Sequence, residues 1–600
     1  MTDFPNETTT ASRRRFIKNA MASGLIASSG IIKLEGFTAF AAEQEFDVVV
    51  VGSGAAGMTA ALKAAHEGLR VVLIEKSSKF GGSTARSGGG IWIRNNEILD
   101  EVGVQDTPEE ASAYLAAVVG DDVPQAKQAA FLQAGPEMIS FVRQTTPLDF
   151  RWMKDYSDYY PNFYGAKPEG ASIEPEIFDG CMLGEDRDLL EPPYIPTPPG
   201  VVVFGGDYKW LTLATVTGTG IATGAKAIGR FVKAKAQGVD PLTMGQALAA
   251  GLRVGLKQKA VPVWLETPLL DLSLDEKGHV NGVVVAHKGV NTLLKAKSGV
   301  ILATGGFERN QAMRKEYQKG PIGIDWTLGS RANEGEGILA GEQIGADLEL
   351  MDDAWWGPTI PLTKDEPYFC LSERSLPGSI IINGSAQRFV NESSPYHDVV
   401  NAMYEQDVID GELPIWMITD QNYRNRYLFR DVLPALPFPK EWYESGAVTR
   451  SWTLKGLAKK IKLSPEALEA TVDRFNNYAK EGVDPEFGRG ENAYDRYYAD
   501  PGVSPNPSLG GICLPPFYAF RVVPGDLGTK GGLRTDERSR VLRPNGSPIS
   551  GLYAAGNASS SVMGRSYAGA GSTIGPAMTF GFIAANDMAQ AARRDGSNPS

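Results

Sequence analysis

The stretch MGRSYAGAGSTIGP, Met563 to Pro576, sets a single phenol, Tyr567, in a run of glycine, alanine and serine. So little bulk cannot build a core around the ring, which reads Tyr567 as placed for its hydroxyl rather than for packing. A second group with chemistry in its spacing is FDVVVVGSGAAGMTAALKAAHEGLRVVLIEK, Phe46 to Lys76. Here Gly52, Gly54 and Gly57 fill G-x-G-x-x-G, and Glu75 follows 21 residues after Gly54. Each has a task in holding a dinucleotide. Gly52 makes the tight turn, Gly54 lets backbone approach a pyrophosphate, Gly57 lets a helix pack on a strand, and Glu75 accepts from ribose hydroxyls.

Such groups need elements to aim them. Four consecutive valines, Val48 to Val51, predict a buried parallel strand ahead of the glycines, with an amphipathic helix after them and the strand RVVLIE closing the unit. Behind Tyr567 the run AMTFGFIAANDMAQAA predicts a helix. Pro576 suits its first turn and Ser572 or Thr573 can cap it. A helix N-terminus aimed that way would favour a negatively charged ligand group.

The totals set bounds. Six hundred residues exceed one hydrophobic core and predict two or more domains. A composition 42% hydrophobic and 22% charged is that of an ordinary soluble globular chain. The net charge of −12, without a basic block, argues against a nucleic-acid surface. Cys181, Cys370 and Cys513 stand alone without zinc spacing, and His66, His279, His287 and His397 form no ligand cluster, so no protein-bound metal is expected. The 68 glycines, many clustered after apolar runs, are the compositional sign of backbone approaching a ligand.

At the front, SRRRFIK (Ser12 to Lys18) matches the twin-arginine export pattern. A weakly apolar stretch follows, and Ala39-Phe40-Ala41 offers a small-x-small cleavage site. Residues 1–42 are therefore expected to be a leader to the periplasm, with a disordered cytoplasmic N-terminus as the alternative. Lys33 and Glu35 depart from the pattern. No other segment is apolar enough to span a membrane, and peripheral membrane contact stays open.

Two more glycine-rich segments decide which dinucleotide is expected. KFGGSTARSGGGIWIRNN (Lys79 to Asn96) resembles the flavin-contacting loop of the fumarate reductase and succinate dehydrogenase flavoprotein superfamily, and GVILATGGFERN (Gly299 to Asn310) its return strand. Near the end, GLYAAGNASSSVMGRSYAGAGSTIGPAMTFGFIAA carries the pattern that completes an FAD site. The resemblance implies an α/β fold: a Rossmann-like FAD-binding domain with an inserted α+β substrate-capping domain. The expected spans are 43–309 and 526–600 for FAD binding and 310–525 for the cap. It also implies noncovalent FAD, because the first flavin loop has no histidine. Cofactor contacts are implied for Gly52, Gly54, Ala55, Ala56, Gly57, Glu75, Lys76, Gly82, Ser83, Thr84, Ser87, Gly88 and Gly89. The later segments add Ala303, Thr304, Gly305, Gly556, Asn557, Gly571, Thr573 and Ile574.

Within the superfamily, GGSTARSGGG, SDYYPN, RFVNESSPYHD, PGDLGTKGGLRTD and MGRSYAGAGSTIGPAMTFG together resemble the 3-ketosteroid Δ1-dehydrogenases. Fumarate reductases place an arginine near the end of the RFVNE segment and a histidine before a Gly-Gly pair; this chain has Tyr396 and His397 in the first place and Lys530 before the second. A dicarboxylate needs paired cations, whereas a steroid needs an apolar slot with a few phenols. The resemblance implies removal of a C2 proton and a C1 hydride from a 3-ketosteroid, the hydride going to flavin N5. Tyr567 and the Gly571 N–H are then the ketone donors, Tyr396 the base and Tyr159 its supporting phenol, with Tyr160 one residue away as the alternative register. His397, Trp355, Trp356 and Arg565 are expected to be structural. The acceptor of electrons is a quinone or another redox carrier. Two other activities compete: 4,5-desaturation of 5α-saturated 3-ketosteroids, and a fumarate-reductase-like reduction of activated alkenes.

Overall fold

The computed structural model describes residues 43–195, 198–363, 366–594 and 596; the expected leader, 1–42, lies outside them. Strand β1 (Gln44–Val51) ends in the four valines, all buried. Their side chains alternate between two cores: Val48 and Val50 enter the one shared with the helices, Val49 and Val51 the one on the opposite face. The sheet is thus covered on both sides, which is why the run is apolar throughout. Helix α1 (Ala55–His66) and strand β2 (Val71–Ile74) complete the unit, with β2 parallel to β1. A short helix, α2 (Gly82–Arg86), follows in the second glycine segment, and α3 (Gly218–Ala236) lies farther along. The chain re-enters the sheet at β3 (Val263–Trp264), beside β2. An antiparallel pair, β4 (Leu269–Leu274) and β5 (Val280–His287), leads into β6 (Val290–Leu302), whose last residues run parallel to β1.

The cap is a six-stranded antiparallel sheet. Its strands are β7 (Ala354–Thr363), β8 (Glu366–Phe369), β9 (Ser379–Ile382), β10 (Ile415–Thr419), β11 (Val448–Ser451) and β12 (Phe517–Thr529). The order is β8-β7-β12-β10-β9, with β11 on β12. Helix α4 (Tyr396–Tyr404) packs Val399, Val400 and Met403 on one face. Helix α5 (Pro465–Glu481) packs Leu468, Val472 and Phe475 on the other. Ser464 caps α5, its hydroxyl accepting from the Ala467 N–H at 3.2 Å, so the start read from the sequence holds without a full capping box. A short helix, α6 (Ala493–Tyr497), brings more tyrosines under the sheet.

The FAD half resumes with β13 (Arg540–Leu542) and β14 (Pro548–Ala554), the latter parallel to β6, and ends in α7 (Ile574–Arg594). Helix α7 lies on α1 through Met578, Ala584, Ala585 and Met588. The expected return at residue 526 falls inside β12, which stays paired with β7 as far as Thr529. Pro524 and Gly525 break the apolar pattern without ending the strand; they simply pair with Pro358 and Gly357.

Candidate active site

The glycine turn after β1 is dictated by close approach. A Cβ on Gly52, at φ +108°, would lie 2.2 Å from the carbonyl oxygen of Ala303, the residue just after β6. One on Gly57 would lie 1.9 Å from the Gly52 carbonyl oxygen, so this glycine seats α1 on β1 and does not line the cleft as expected. At Gly54 the nearest atom would be 3.7 Å away, and the missing side chain leaves room for a ligand instead. Every other cofactor residue expected from the sequence lines one continuous cleft, from Gly52 through Glu75, Thr84, Gly89 and Thr304 to Asn557 and Ile574.

Several of these side chains are tied within the chain. Glu75 accepts from the Ser53 N–H and hydroxyl at 3.0 and 2.7 Å and from the Ser77 N–H at 2.9 Å. Thr84 Oγ1 takes the Ala55 N–H at 2.9 Å, and Ser87 bonds to the Thr84 carbonyl and the Gly89 N–H. Lys76 pairs with Glu334 and Glu336, and Ser83 accepts from the Ser330 N–H and Asn333 Nδ2. The segment 330–336 was not singled out in the sequence; its polar residues show no periodicity, and only the fold sets it across the cleft from the first flavin loop. Thr304 supplies the complementary sign of a ligand: its hydroxyl is buried without a hydrogen-bond partner. With the α1 and α7 N-termini opening on the same cleft, these residues fit the pyrophosphate, ribose and ring of FAD.

Beyond the glycines, three phenols meet. Tyr396 begins α4 just after Pro395, and Tyr159 donates to its hydroxyl oxygen at 2.8 Å. The Tyr567 ring stands 5.1 Å from that of Tyr396 and 5.2 Å from that of Tyr159. All three line the cleft, with Phe369, Leu371 and Leu527 as apolar neighbours. The register question resolves to Tyr159, because Tyr160 turns its hydroxyl to Asp398 Oδ1 at 2.9 Å. Tyr159 is also tied to the other strand of the site, its N–H donating to the Ala568 carbonyl at 3.0 Å.

The loop at 567 is held by its own small residues. Ser572 bonds Gly569 through both N–H and carbonyl, and Thr573 Oγ1 lies 2.9 Å from the Tyr567 hydroxyl. Neither hydroxyl is therefore spent as the helix cap expected; both shape the loop, and Pro576 sits in the first turn of α7. Gly571 has φ +95°, and a Cβ there would lie 2.3 Å from the Gly90 carbonyl carbon. Its smallness thus serves the contact between loop and first flavin segment, not only access to a ligand. Among the described residues, its N–H makes no hydrogen bond. Gly571→Ala is expected to force these two backbones apart, lowering the flavin-to-protein ratio of the purified protein as well as its turnover. A variant with full flavin and wild-type turnover would exclude that account.

The expected structural residues are partly so. Arg565 pairs with Asp352 at 2.8 Å on the surface, and Trp356 donates to Asp353 Oδ1 at 2.7 Å. Trp355 braces the back of Tyr567 edge-on at 4.9 Å and donates to Asn557 Oδ1 at 3.0 Å. His397 points away from the phenols, donating to the Arg565 carbonyl oxygen at 2.7 Å. Burial and the neighbouring Lys530 push its pKa down to about 4, so it is neutral at pH 7. Burial raises the Tyr396 and Tyr159 phenols well above their ordinary value; for Tyr396 the adjoining phenols add to this, and the Tyr159 hydrogen bond opposes it. Tyr567 is raised by burial as well, against Thr573 and Tyr396, and remains a protonated donor. Among the described residues no cluster of His, Cys, Asp or Glu could hold a metal, and no helix is long and apolar enough to cross a membrane.

Comparison with known proteins agrees with this geometry. A family described as FAD binding domain matches residues 47–574. The 3-oxosteroid 1-dehydrogenase of Mycolicibacterium smegmatis is 52% identical, over 92% of this chain and 98% of its own length. That of Mycobacterium tuberculosis is 51% identical, over 92% and 100%. Among solved structures, the 3-ketosteroid Δ1-dehydrogenase of Sterolibacterium denitrificans in complex with 1,4-androstadiene-3,17-dione superposes with a TM-score of 0.87. It is 41% identical and covers 91% of this chain and 100% of its own.

Proposed function

Since the chain belongs to the FAD-binding flavoproteins and, within them, to the 3-oxosteroid 1-dehydrogenase family, we propose that it desaturates the A ring of 3-ketosteroids between C1 and C2. The observation that carries this reading is the meeting of the Tyr567 hydroxyl, the unbonded Gly571 N–H and the Tyr396–Tyr159 hydroxyl pair on one cleft. FAD, when bound, supplies the acceptor for the hydride that leaves C1.

The protein's residues do the rest. Tyr567 and the Gly571 N–H donate to the C3 ketone oxygen, where negative charge develops as C2 loses its proton; such donors contribute about 3 kcal/mol each. Tyr567 reaches its ligand by exchanging or sharing its contact with Thr573, which already orients the phenol. Tyr396, as its tyrosinate, takes the C2 proton onto its oxygen and becomes a neutral phenol, the Tyr159 hydroxyl stabilising the tyrosinate beforehand through the hydrogen bond it donates. The electron pair of the broken C2–H bond becomes the new C1=C2 bond as hydride departs from C1. Phe369, Leu371 and Leu527 keep water from the charge that forms.

Neither competing activity has this support. Among the described residues the rings packed on the three phenols are aromatic and their hydroxyls meet one another and Thr573, whereas a dicarboxylate requires paired cations there. Incubation with androst-4-ene-3,17-dione and an artificial acceptor is expected to form the 1,4-diene. Turnover confined to 5α-reduced steroids, or reduction of fumarate by a reduced viologen, would sink the proposal.

The surroundings of the reaction belong to the same reading. The twin-arginine pattern in residues 1–42 supports export to the periplasm, with the cytoplasm as the alternative. Helix α3 turns Ile221, Ile228 and Val232 to solvent beside Lys226 and Lys233 and contains no acidic residue. That face supports peripheral contact with a lipid surface, where an apolar steroid and a quinone acceptor both reside.

A further inference from the structure

A phenol in a buried, apolar site is a poor base at neutral pH, because burial disfavours the tyrosinate. The rings packed against that of Tyr396 are Tyr159, Tyr567 and Phe369, and none of them carries a positive charge. One cation does lie behind this layer. Arg374 is fully buried, and among the described residues no carboxylate approaches its guanidinium within 4 Å. Its Nη1 donates to the carbonyls of Glu392 and of Ser394, the latter at 2.8 Å, in the turn that leads into Tyr396. Among the described residues, Nε and Nη2 make no hydrogen bond of ordinary length. Arginine stays charged at any working pH, and a desolvated charge with neither counter-ion nor full hydrogen bonding costs several kcal/mol of order of magnitude.

The free edge faces tyrosines. The Arg374 charge acts on the hydroxyls of Tyr494 and Tyr156, opposing the effect of their burial. The buried Tyr494 hydroxyl has no partner at ordinary hydrogen-bond length among the described residues, yet the Arg374 guanidinium is near enough to stabilise its charged form, and its ring lies 4.7 Å from that of Tyr159. Tyr159 in turn donates to Tyr396. A continuous aromatic layer thus separates an uncompensated cation from the pair of hydroxyls that must carry negative charge.

The other charged groups nearby are otherwise engaged. Glu392 gives its carboxylate to Arg388 at 2.8 Å and Arg489 at 3.1 Å. Glu373 turns to Tyr368 and Tyr208, and Asp353 pairs with Lys530 at 3.0 Å. Asp398 accepts from Tyr160, and burial pushes its pKa up to about 6. Lys530, with the neutral His397, lies on the far side of Asp398 and Trp355, donating to the Ser566 carbonyl at 3.1 Å. Cys370 is a protonated thiol, raised by burial.

We propose that Arg374 is the built-in counter-charge of the base: its uncompensated guanidinium, acting through Tyr494 and Tyr159, holds the Tyr396–Tyr159 hydroxyl pair within reach of its ionised form. Arg374 touches neither steroid nor cofactor and is a positioning residue by charge. The assignment rests on the reading of Tyr396 as the base.

The test is the pH profile of C2–H exchange from a 3-ketosteroid by the flavin-loaded protein without an electron acceptor, alongside kcat and KM. In the wild type the rising limb marks the ionisation of the Tyr396–Tyr159 hydroxyl pair. Removing an opposite charge raises the pKa of an acid, so Arg374→Gln is expected to move the limb upward, by about 1 unit. Its exchange and kcat at neutral pH then fall about tenfold, recover at alkaline pH, and leave KM and flavin content unchanged. Arg374→Lys, which keeps the charge, is expected to restore most of the neutral-pH rate. An Arg374→Gln limb that coincides with that of the wild type would overturn the proposal. So would an Arg374→Gln profile lowered equally at every pH, which is what a merely structural role produces. If Tyr396→Phe exchanges normally, the base assignment itself is wrong; if it does not exchange and the Arg374→Gln limb is unmoved, only the role of Arg374 fails.

Discussion

Tyr567→Phe is expected to lower kcat by 100-fold or more, on the order of one lost oxyanion donor, while the protein keeps its FAD. The argument is geometric. The Tyr567 ring is buried edge-on against Trp355 and beside Tyr396, and none of these contacts needs the hydroxyl. Phenylalanine fills the same space, so the cleft and its glycine cradle remain. What goes is the hydroxyl now 2.9 Å from Thr573. In the ketone ground state that donor is replaceable by a water or by Thr573; in the charged state it is not, and the loss falls on kcat rather than on KM. Steady-state kinetics with flavin content measured on the same preparation check this. Wild-type kcat in the flavin-replete variant would remove Tyr567 from the reaction.

Tyr396→Phe is expected to abolish C2–H exchange in the absence of an electron acceptor and to cut turnover by roughly 100- to 10,000-fold, the range of a lost general base. Exchange isolates the proton step, since it needs no hydride transfer. The substitution deletes the oxygen to which Tyr159 donates and leaves that hydroxyl without its partner in a buried site. Some loss of stability accompanies it, on the order of 1–3 kcal/mol for an orphaned polar group. Unimpaired exchange in a folded, flavin-loaded variant would rule Tyr396 out as the base.

How far the site was legible follows from how each residue earns its place. Gly52 and Gly57 are legible because their constraint is local: a turn between a strand and the helix that follows it, set by backbone contacts with each other and with Ala303 just after β6. Tyr567 was legible by contrast, a ring amid residues too small to bury it. Tyr396 and Tyr159 were reached only through resemblance, since they lie 237 residues apart and nothing in either neighbourhood points to the other. Their meeting depends on the cap sheet setting α4 against the loop after Lys154. The expected return at 526 falls within β12, where Pro524 and Gly525 are paired strand residues, a pairing that only the fold shows.

Arg374 shows the limit most plainly. In the sequence it is one arginine among the 59 basic residues, in a stretch without motif. Its meaning lies in what is missing around it among the described residues, a counter-ion and hydrogen bonds of ordinary length at Nε and Nη2, and such absence exists only in the folded chain. The sequence alone determined the dinucleotide unit, the glycine loops and the isolated phenol, because strand, turn and helix within some thirty residues obey periodicity and steric rules that act along the chain. The tertiary structure decided which phenols meet, which tyrosine of the 159–160 pair bonds Tyr396, and where the buried Arg374 guanidinium sits. Those depend on long-range packing and desolvation, which no local pattern encodes.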